Sequence, residues 1–305
     1  MKITLLGSLG NINQFVIPHL VADGHEVTVI TTNENKKEAI QELGAKAAIG
    51  TMKDAAFLTQ TFTGQDVVYL MISGGSADIF QEAKERADIF AEAIQNSGVK
   101  NVVNLSSVGA DAGPEAGALY AYNLIEERLN QLPVNIAYVR PVAFYNNLFS
   151  HLQTIQNEHK IYTNLSPDIT SYYASPADIA EVVLPLLEST PNGHTVHYAV
   201  SDSFSLKEFT EALKQKLGWN DLTIVEISDE HYRAALQKNN VPEQAIDAFI
   251  QMTVYQRNSE AAYKDLAAYA PNFGQVKLND FVDTYAKAVQ NTTGNGPKAQ
   301  TIVSK

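Results

Sequence analysis

With 305 residues and a mass of 33.4 kDa, the chain has room for a large buried core, as one big α/β domain or as two smaller ones. Hydrophobic residues make up 45% and charged residues 18%, which excludes a wholly disordered or collagen-like chain. The 34 acidic against 22 basic side chains leave a formal charge of −12, which argues against nucleic-acid or membrane binding where no local basic patch offsets it. The chain has no cysteine, so disulfides, thiolate nucleophiles and Cys-ligated zinc are ruled out.

The apolar run that follows Lys2, residues 3–6, is too short for the core of a signal peptide. No stretch reaches the roughly 18 apolar residues of a membrane span. The expected location is cytoplasmic.

In chain order, β-type runs over 3–6, 26–31, 45–49, 66–71, 102–106 and 135–140 alternate with amphipathic stretches. The clearest helix spans 79–96, with Phe80, Ala83, Ala87, Phe90, Ala91 and Ile94 on one face. Such alternation predicts a doubly wound α/β fold, a parallel sheet with helices on both sides. After Phe149 the alternation loosens. Ser175-Pro176-Ala177-Asp178 reads as a helix start, with serine as the cap and an acid in the first turn. Ser205 to Glu208 has capping-box spacing, and 194–200 reads as another strand. Residues 228–289 are mainly helical. Their aromatic residues Tyr232, Phe249, Tyr255, Tyr263 and Tyr269 suit core packing better than a cleft lining. Residues 291–305 are polar with two glycines and a proline, as in a flexible tail.

The most informative segment is Gly7-Ser8-Leu9-Gly10-Asn11-Ile12-Asn13, between the first strand and a helix carrying Phe15, Ile17 and Leu20. Glycines here let the backbone turn tightly and approach a pyrophosphate, whose charge the helix N-terminus then meets. Asn13 stands where the usual third glycine allows close helix-to-strand packing, and the same glycines would also serve a turn that binds nothing. Thr31, Thr32 and Asn33 follow the second strand where an NAD site usually has an acid. With Lys36 and Lys37 beyond, this favours NADP, while NAD stays open because no arginine provides a phosphate clamp.

These segments, with Val102-Val103-Asn104-Leu105-Ser106-Ser107-Val108-Gly109-Ala110, the helix 122–129 and Arg140-Pro141-Val142-Ala143-Phe144-Tyr145-Asn146-Asn147-Leu148, resemble the NmrA-like branch of the atypical short-chain dehydrogenases. Residues 171–187 match that family's later strand-to-helix segment. The resemblance implies a Rossmann domain over 1–150 and 171–200 and a smaller, mainly helical C-terminal lobe over 151–170 and 201–290, with a substrate cleft between them. It also implies cofactor contacts. Gly7, Ser8, Leu9, Gly10, Asn11 and Ile12 would hold the pyrophosphate; Thr31, Thr32 and Asn33 would flank the ribose; Thr51 and Met52 would flank the adenine. Ile72, Ser73, Ser106, Ser107, Pro141 and Phe144 would line the nicotinamide side.

The wider superfamily pairs a tyrosine with a lysine four residues on, which lowers the phenol pKa for proton transfer. Here Tyr120 is followed by Leu124 and Tyr122 by Glu126, which disfavours alcohol dehydrogenation, epimerisation and sugar-nucleotide dehydration. A quinone or similar carbonyl acceptor needs less help, only orientation, an apolar cover and donors near the developing oxyanion. Ser106, Ser107 and Tyr122 are the candidate donors, and Phe144 and Tyr145 the candidate wall. The serines would equally well end a strand. Arg140 reads as a cation tying loops together.

None of the seven histidines has metal-ligand or triad spacing. His151 and His159 fall near the expected cleft, without a carboxylate at fixed spacing. Glu126-Glu127 and Asp229-Glu230 read as exposed helix charges. The alternative function is a non-catalytic NADP(H) sensor acting through a protein partner, or as a homodimer, without direct DNA contact.

Overall fold

The computed structural model describes residues 1–73 and 77–291. The first half alternates as the periodicity predicts: β1 (Lys2–Leu5), α1 (Asn13–Ala22), β2 (Glu26–Thr31), α2 (Lys37–Glu42), β3 (Lys46–Ile49), α3 (Ala55–Phe62), β4 (Val67–Leu70), α4 (Ile79–Ser97), β5 (Asn101–Leu105), α5 (Tyr120–Leu129) and β6 (Asn135–Pro141). Helix α4 starts where the Asp78 side chain accepts from the Gln81 amide and stops at Gly98, whose φ of 75° is cheap for glycine alone.

The second half contains more strand than its sequence announces. Strand β7 (Ala143–Phe144) precedes α6 (Leu152–Glu158), β8 (Lys160–Thr163), β9 (Thr170–Ala174), α7 (Pro176–Glu188), β10 (His194–Ala199), β11 (Asp202–Ser205), α8 (Leu206–Leu217) and β12 (Thr223–Glu226). Helices α9 (Asp229–Lys238), α10 (Glu243–Gln256), α11 (Ser259–Ala262), α12 (Lys264–Tyr269) and α13 (Leu278–Gln290) follow. Ser175 caps α7 by accepting from the Asp178 amide, and Ser205 with Glu208 forms the predicted capping box on α8.

Seven parallel strands form the central sheet in the order β10-β6-β5-β4-β1-β2-β3. Val67 to Leu70 are buried throughout, as expected for a strand covered on both faces. On one face Ile3, Leu5, Val29 and Val103 pack with Val16, Ile17 and Leu20 of α1 and Ile179 and Val183 of α7. On the other, Leu6, Ile30, Val68 and Val102 meet Phe62, Phe90, Ile94, Ile125 and Leu129 from α3, α4 and α5.

The remaining strands make a three-stranded sheet, β11-β9-β7, and a two-stranded one, β12-β8. They sit over an aromatic core of Tyr145, Phe149, Phe204, Phe209, Phe281 and Tyr285. One backbone position brings the C-terminal helices onto the first half. Gly117 has a φ of +60°, and a Cβ there would lie 2.3 Å from the Met252 amide nitrogen and 2.4 Å from the Ala248 oxygen. Any side chain would lift α10 away.

Candidate functional site

The chain enters the sheet in the middle at β1, builds outward through β2 and β3, then returns to β4 on the other side. A crevice opens at the carboxyl ends of the strands where such an order reverses, and ligands of doubly wound sheets bind there. The segment at this point is the glycine turn.

Its conformation is special in three respects. Gly7 and Ser8 have φ of 96° and 51°, and a serine held in the left-handed region is a strained residue. A Cβ on Gly10 would approach the Gly7 oxygen to 2.9 Å. Finally, the amides of Leu9, Asn11 and Ile12 donate to no acceptor among the described residues, although the adjoining Ser8 amide is satisfied by the Ile30 oxygen at 3.2 Å. Unpaired N–H groups at the start of α1, with the positive end of its dipole, suit an anion. The turn is this tight only because positions 7 and 10 lack side chains, since a Cβ at Gly7 would crowd Asn13 Nδ2 at 3.2 Å and one at Gly10 the Gly7 oxygen; with its unpaired amides it fits a dinucleotide pyrophosphate.

Asn13 has a positive role here. Its Nδ2 donates to the Leu6 and Ser8 oxygens, both at 2.8 Å, so the side chain that replaces the third glycine pins the turn from inside. Ser8 Oγ donates to Thr31 Oγ1 at 2.9 Å, and Thr31 Oγ1 also accepts from the Asn33 amide at 3.2 Å. Thr31 is buried and thus joins the ends of β1 and β2, leaving Thr32 exposed; Asn33 is also exposed, but its Oδ1 caps a short 3-10 turn at Asn35.

Thr51 and Met52 lie beyond β3 and are half-buried. The Met52 oxygen accepts from Arg86 Nη1 at 2.9 Å, and Arg86 is held by Glu82 at 3.1 Å. Arg86, which sequence reading missed, is a buried cation on the apolar side of α4. Its i,i+4 spacing from Glu82 was the available signal. Ile72 packs on the α3–α5 side of the sheet and Ser73 is exposed.

At the end of β5 the two serines part ways. Ser106 is buried, and its Oγ donates to Glu126 Oε1 at 2.6 Å. With its proton committed to a carboxylate, it is not a donor for a substrate oxygen, which corrects its reading as a catalytic group. Ser107 is half-buried and its hydroxyl has no partner among the described residues. The same holds for Tyr122 on α5, whose phenol is pushed up to about 12 by loss of solvent. It is therefore protonated near neutral pH, so its hydroxyl is able to donate a hydrogen bond.

Glu126 is not an exposed helix charge but a buried one, bonded to Arg140 Nη2 at 2.5 Å and Nε at 3.0 Å. Arg140 Nη1 donates to Asp265 Oδ2 at 2.9 Å, and the Tyr198 hydroxyl donates to the same oxygen at 2.6 Å. Arg140 thus ties elements together, as its chemistry suggested. Asp229 likewise accepts from Asn164 Nδ2 at 2.9 Å and from Arg257, whereas Glu127 and Glu230 are exposed.

Tyr145 also differs from its sequence reading. It is 1% exposed, stacked on Phe281 with ring centroids 4.6 Å apart, and its hydroxyl donates to the Val276 oxygen at 3.1 Å. Locked into the C-terminal core, it offers no face to a substrate. Phe144, the last residue of β7, stays half-buried beside the sheet core, and Pro141 is buried at the end of β6. His159 stacks on Trp219 at 4.0 Å and bonds Asp221 at 2.8 Å. Burial, with no partner for its ring among the described residues, brings His151 down to about 4 and keeps it neutral near pH 7. Of the late aromatics, Phe249 and Tyr263 are core residues, while Tyr269 is 49% exposed. No helix among the described residues is long and apolar enough to cross a membrane.

Several solved structures share this architecture. The NADPH-dependent quinone oxidoreductase of Escherichia coli, solved with NADPH, is 18% identical with a TM-score of 0.74, covering 92% of this chain and 98% of its own. The triphenylmethane reductase of a Citrobacter species, complexed with NADP(H), is 17% identical at a TM-score of 0.74, covering 93% and 99%. A nucleoside-diphosphate-sugar epimerase from Staphylococcus aureus gives 16% identity and 0.74, covering 92% and 99%. No curated protein matches the chain in sequence. At such identities the likeness establishes the fold. The model of the NmrA-like family matches residues 1–287, so this chain, with its glycine turn at the switch point and its Arg140-Pro141 strand end, belongs to the NmrA-like family.

Proposed function

We propose that the protein binds NADPH along the carboxyl edge of the sheet and passes a hydride to a quinone-like or other small carbonyl acceptor. The observation that carries this reading is the glycine turn, where the amides of Leu9, Asn11 and Ile12 have no acceptor among the described residues, in a turn too tight for side chains at positions 7 and 10. Gly7, Ser8, Leu9, Gly10, Asn11 and Ile12 would hold the pyrophosphate, Thr31, Thr32 and Asn33 the ribose side, and Thr51 and Met52 the adenine. Ile72, Ser73, Ser107, Pro141 and Phe144 would flank the nicotinamide. NADPH is favoured because Thr31 at the end of β2 and Thr32 and Asn33 just after it stand where an NAD site usually has an acid, the first carboxylate being Glu34 beyond them, and Lys36 and Lys37 follow. The named cofactors of the E. coli and Citrobacter structures support the same choice.

When bound, the nicotinamide supplies the hydride. The chain's own residues orient the acceptor and stabilise it. Tyr122, kept protonated by desolvation, and Ser107 donate hydrogen bonds to the acceptor oxygen as it gains charge. Phe144 covers the site against water. No lysine stands four residues after Tyr120 or Tyr122, so there is no tuned phenol to relay a proton. Acceptors whose reduced anions are already stabilised suit this site, and quinones are such acceptors.

The test is loss of nicotinamide absorbance when pure protein, NADPH and a panel of quinones are mixed. Turnover above the protein-free rate is expected for at least one acceptor. Tight NADPH binding with no turnover on any of them would sink the reductase reading and leave a cofactor sensor that works through a protein partner.

A further inference from the structure

Both candidate donors sit close in sequence to one buried carboxylate or its partner. Ser107 follows Ser106, whose amide donates to the Val139 oxygen at 2.7 Å and whose hydroxyl donates to Glu126 at 2.6 Å. Tyr122 lies one helical turn before Glu126 on α5. Glu126 is fixed in turn by two nitrogens of Arg140, and the remaining nitrogen, Nη1, reaches Asp265 on α12 at 2.9 Å. Arg140 and Glu126 side chains are 8% and 6% exposed, Asp265 28%. A guanidinium is a planar fork, so fixing Nη1 sets the direction of the other donors.

Extending the function proposed above, on which this inference rests, we propose that Asp265 is a positioning residue for the acceptor. Through Arg140 and Glu126 it sets where Ser107 and Tyr122 present their hydroxyls, so that the C-terminal lobe takes part in shaping the donor site. Docking of α12 itself depends on other residues, since Leu266 and the preceding Tyr263 are buried in the sheet core. Asp265 is thus separable from the packing that holds the lobe in place.

The experiment compares Asp265→Ala and Asp265→Asn with the unmodified chain. For Asp265→Ala, kcat/KM for a quinone is expected to fall about tenfold, as a small displacement of a positioned donor produces. NADPH affinity measured by calorimetry should stay unchanged, and the melting temperature should fall only modestly, because Arg140 and the Tyr198 hydroxyl lose a shared, part-exposed acceptor while Arg140 keeps Glu126. Asp265→Asn should recover most of the loss, because its amide oxygen still accepts from Arg140. Unchanged quinone kinetics in Asp265→Ala, or a parallel loss of cofactor affinity and stability, would overturn the inference. A second readout separates this from failure of the reductase reading. If the unmodified chain reduces no quinone, amide hydrogen exchange in the NADPH complex still decides: faster exchange at Ser106, Ser107 and the first turns of α5 in Asp265→Ala supports the linkage, and identical exchange refutes it.

Discussion

The glycine turn and the Arg140 junction are both polar places at the carboxyl edge of one sheet, and they treat hydrogen bonding in opposite ways. In the turn, Asn13 and Thr31 satisfy the groups that set the shape, while the amides of Leu9, Asn11 and Ile12 remain without acceptors among the described residues. At the junction, Ser106, Glu126, Arg140, Tyr198 and Asp265 form a mutually bonded set. Unpaired backbone donors cost free energy wherever water cannot reach them, so a fold keeps a row of them only at an accessible edge or against a ligand. The closed set is different. It spends its donors on neighbouring elements and so fixes geometry.

The comparison can be broken most sharply at the turn. Gly10→Val is expected to abolish NADPH binding in calorimetry while circular dichroism shows an unchanged fold, because its first side-chain carbon already meets the Gly7 oxygen at 2.9 Å. Retained affinity would make the turn purely structural. At the junction the opposite signature is expected. Arg140→Met should lower unfolding free energy by about 3–5 kcal/mol in urea titration, since Glu126 is left as an unpaired buried charge. Tyr122→Phe tests the free donors between the two regions. It should reduce kcat for a quinone by up to about a hundredfold, the scale of one lost oxyanion donor, and leave NADPH affinity untouched.

The smallest effect is one of pH. His151 titrates at about 4 in the fold and near 6.5 in an unfolded chain. Between these values the unfolded state binds a proton that the folded state does not. Its contribution to stability is therefore complete above about pH 6.5 and declines as pH falls toward about 4. The urea midpoint should show this slope, and His151→Gln should flatten it.

Much of the sheet was legible because its determinants are local. The predicted strand at 26–31 is β2, and the helix at 79–96 is α4 with one more residue; both rest on burial periods that the sequence displays directly. Of the small sheets only β9, the strand of the segment 171–187, was legible. Strand β7 is two residues long and β8 and β12 four each, and such strands form only where a partner supplies the hydrogen bonds. Tyr145 shows the same limit within the site. Beside Phe144 it looks like half of an aromatic wall, yet the strand ends at Phe144 and Tyr145 opens a 3-10 turn that places its ring in the C-terminal core.

By itself the sequence determined the alternating α/β order, the place of the glycine turn and the lack of a lysine beside Tyr120 or Tyr122, because each is a matter of residue type at short spacing. Tertiary structure decided which hydroxyls are free. Ser106 and Ser107 are chemically identical neighbours, and only the distant Glu126, held by Arg140 and through it linked to Asp265, accepts the hydrogen bond of one and leaves the other. Partners separated by 20 residues or by 125 have no local pattern, so a hydrogen-bond network of this kind is settled only when the fold brings them together.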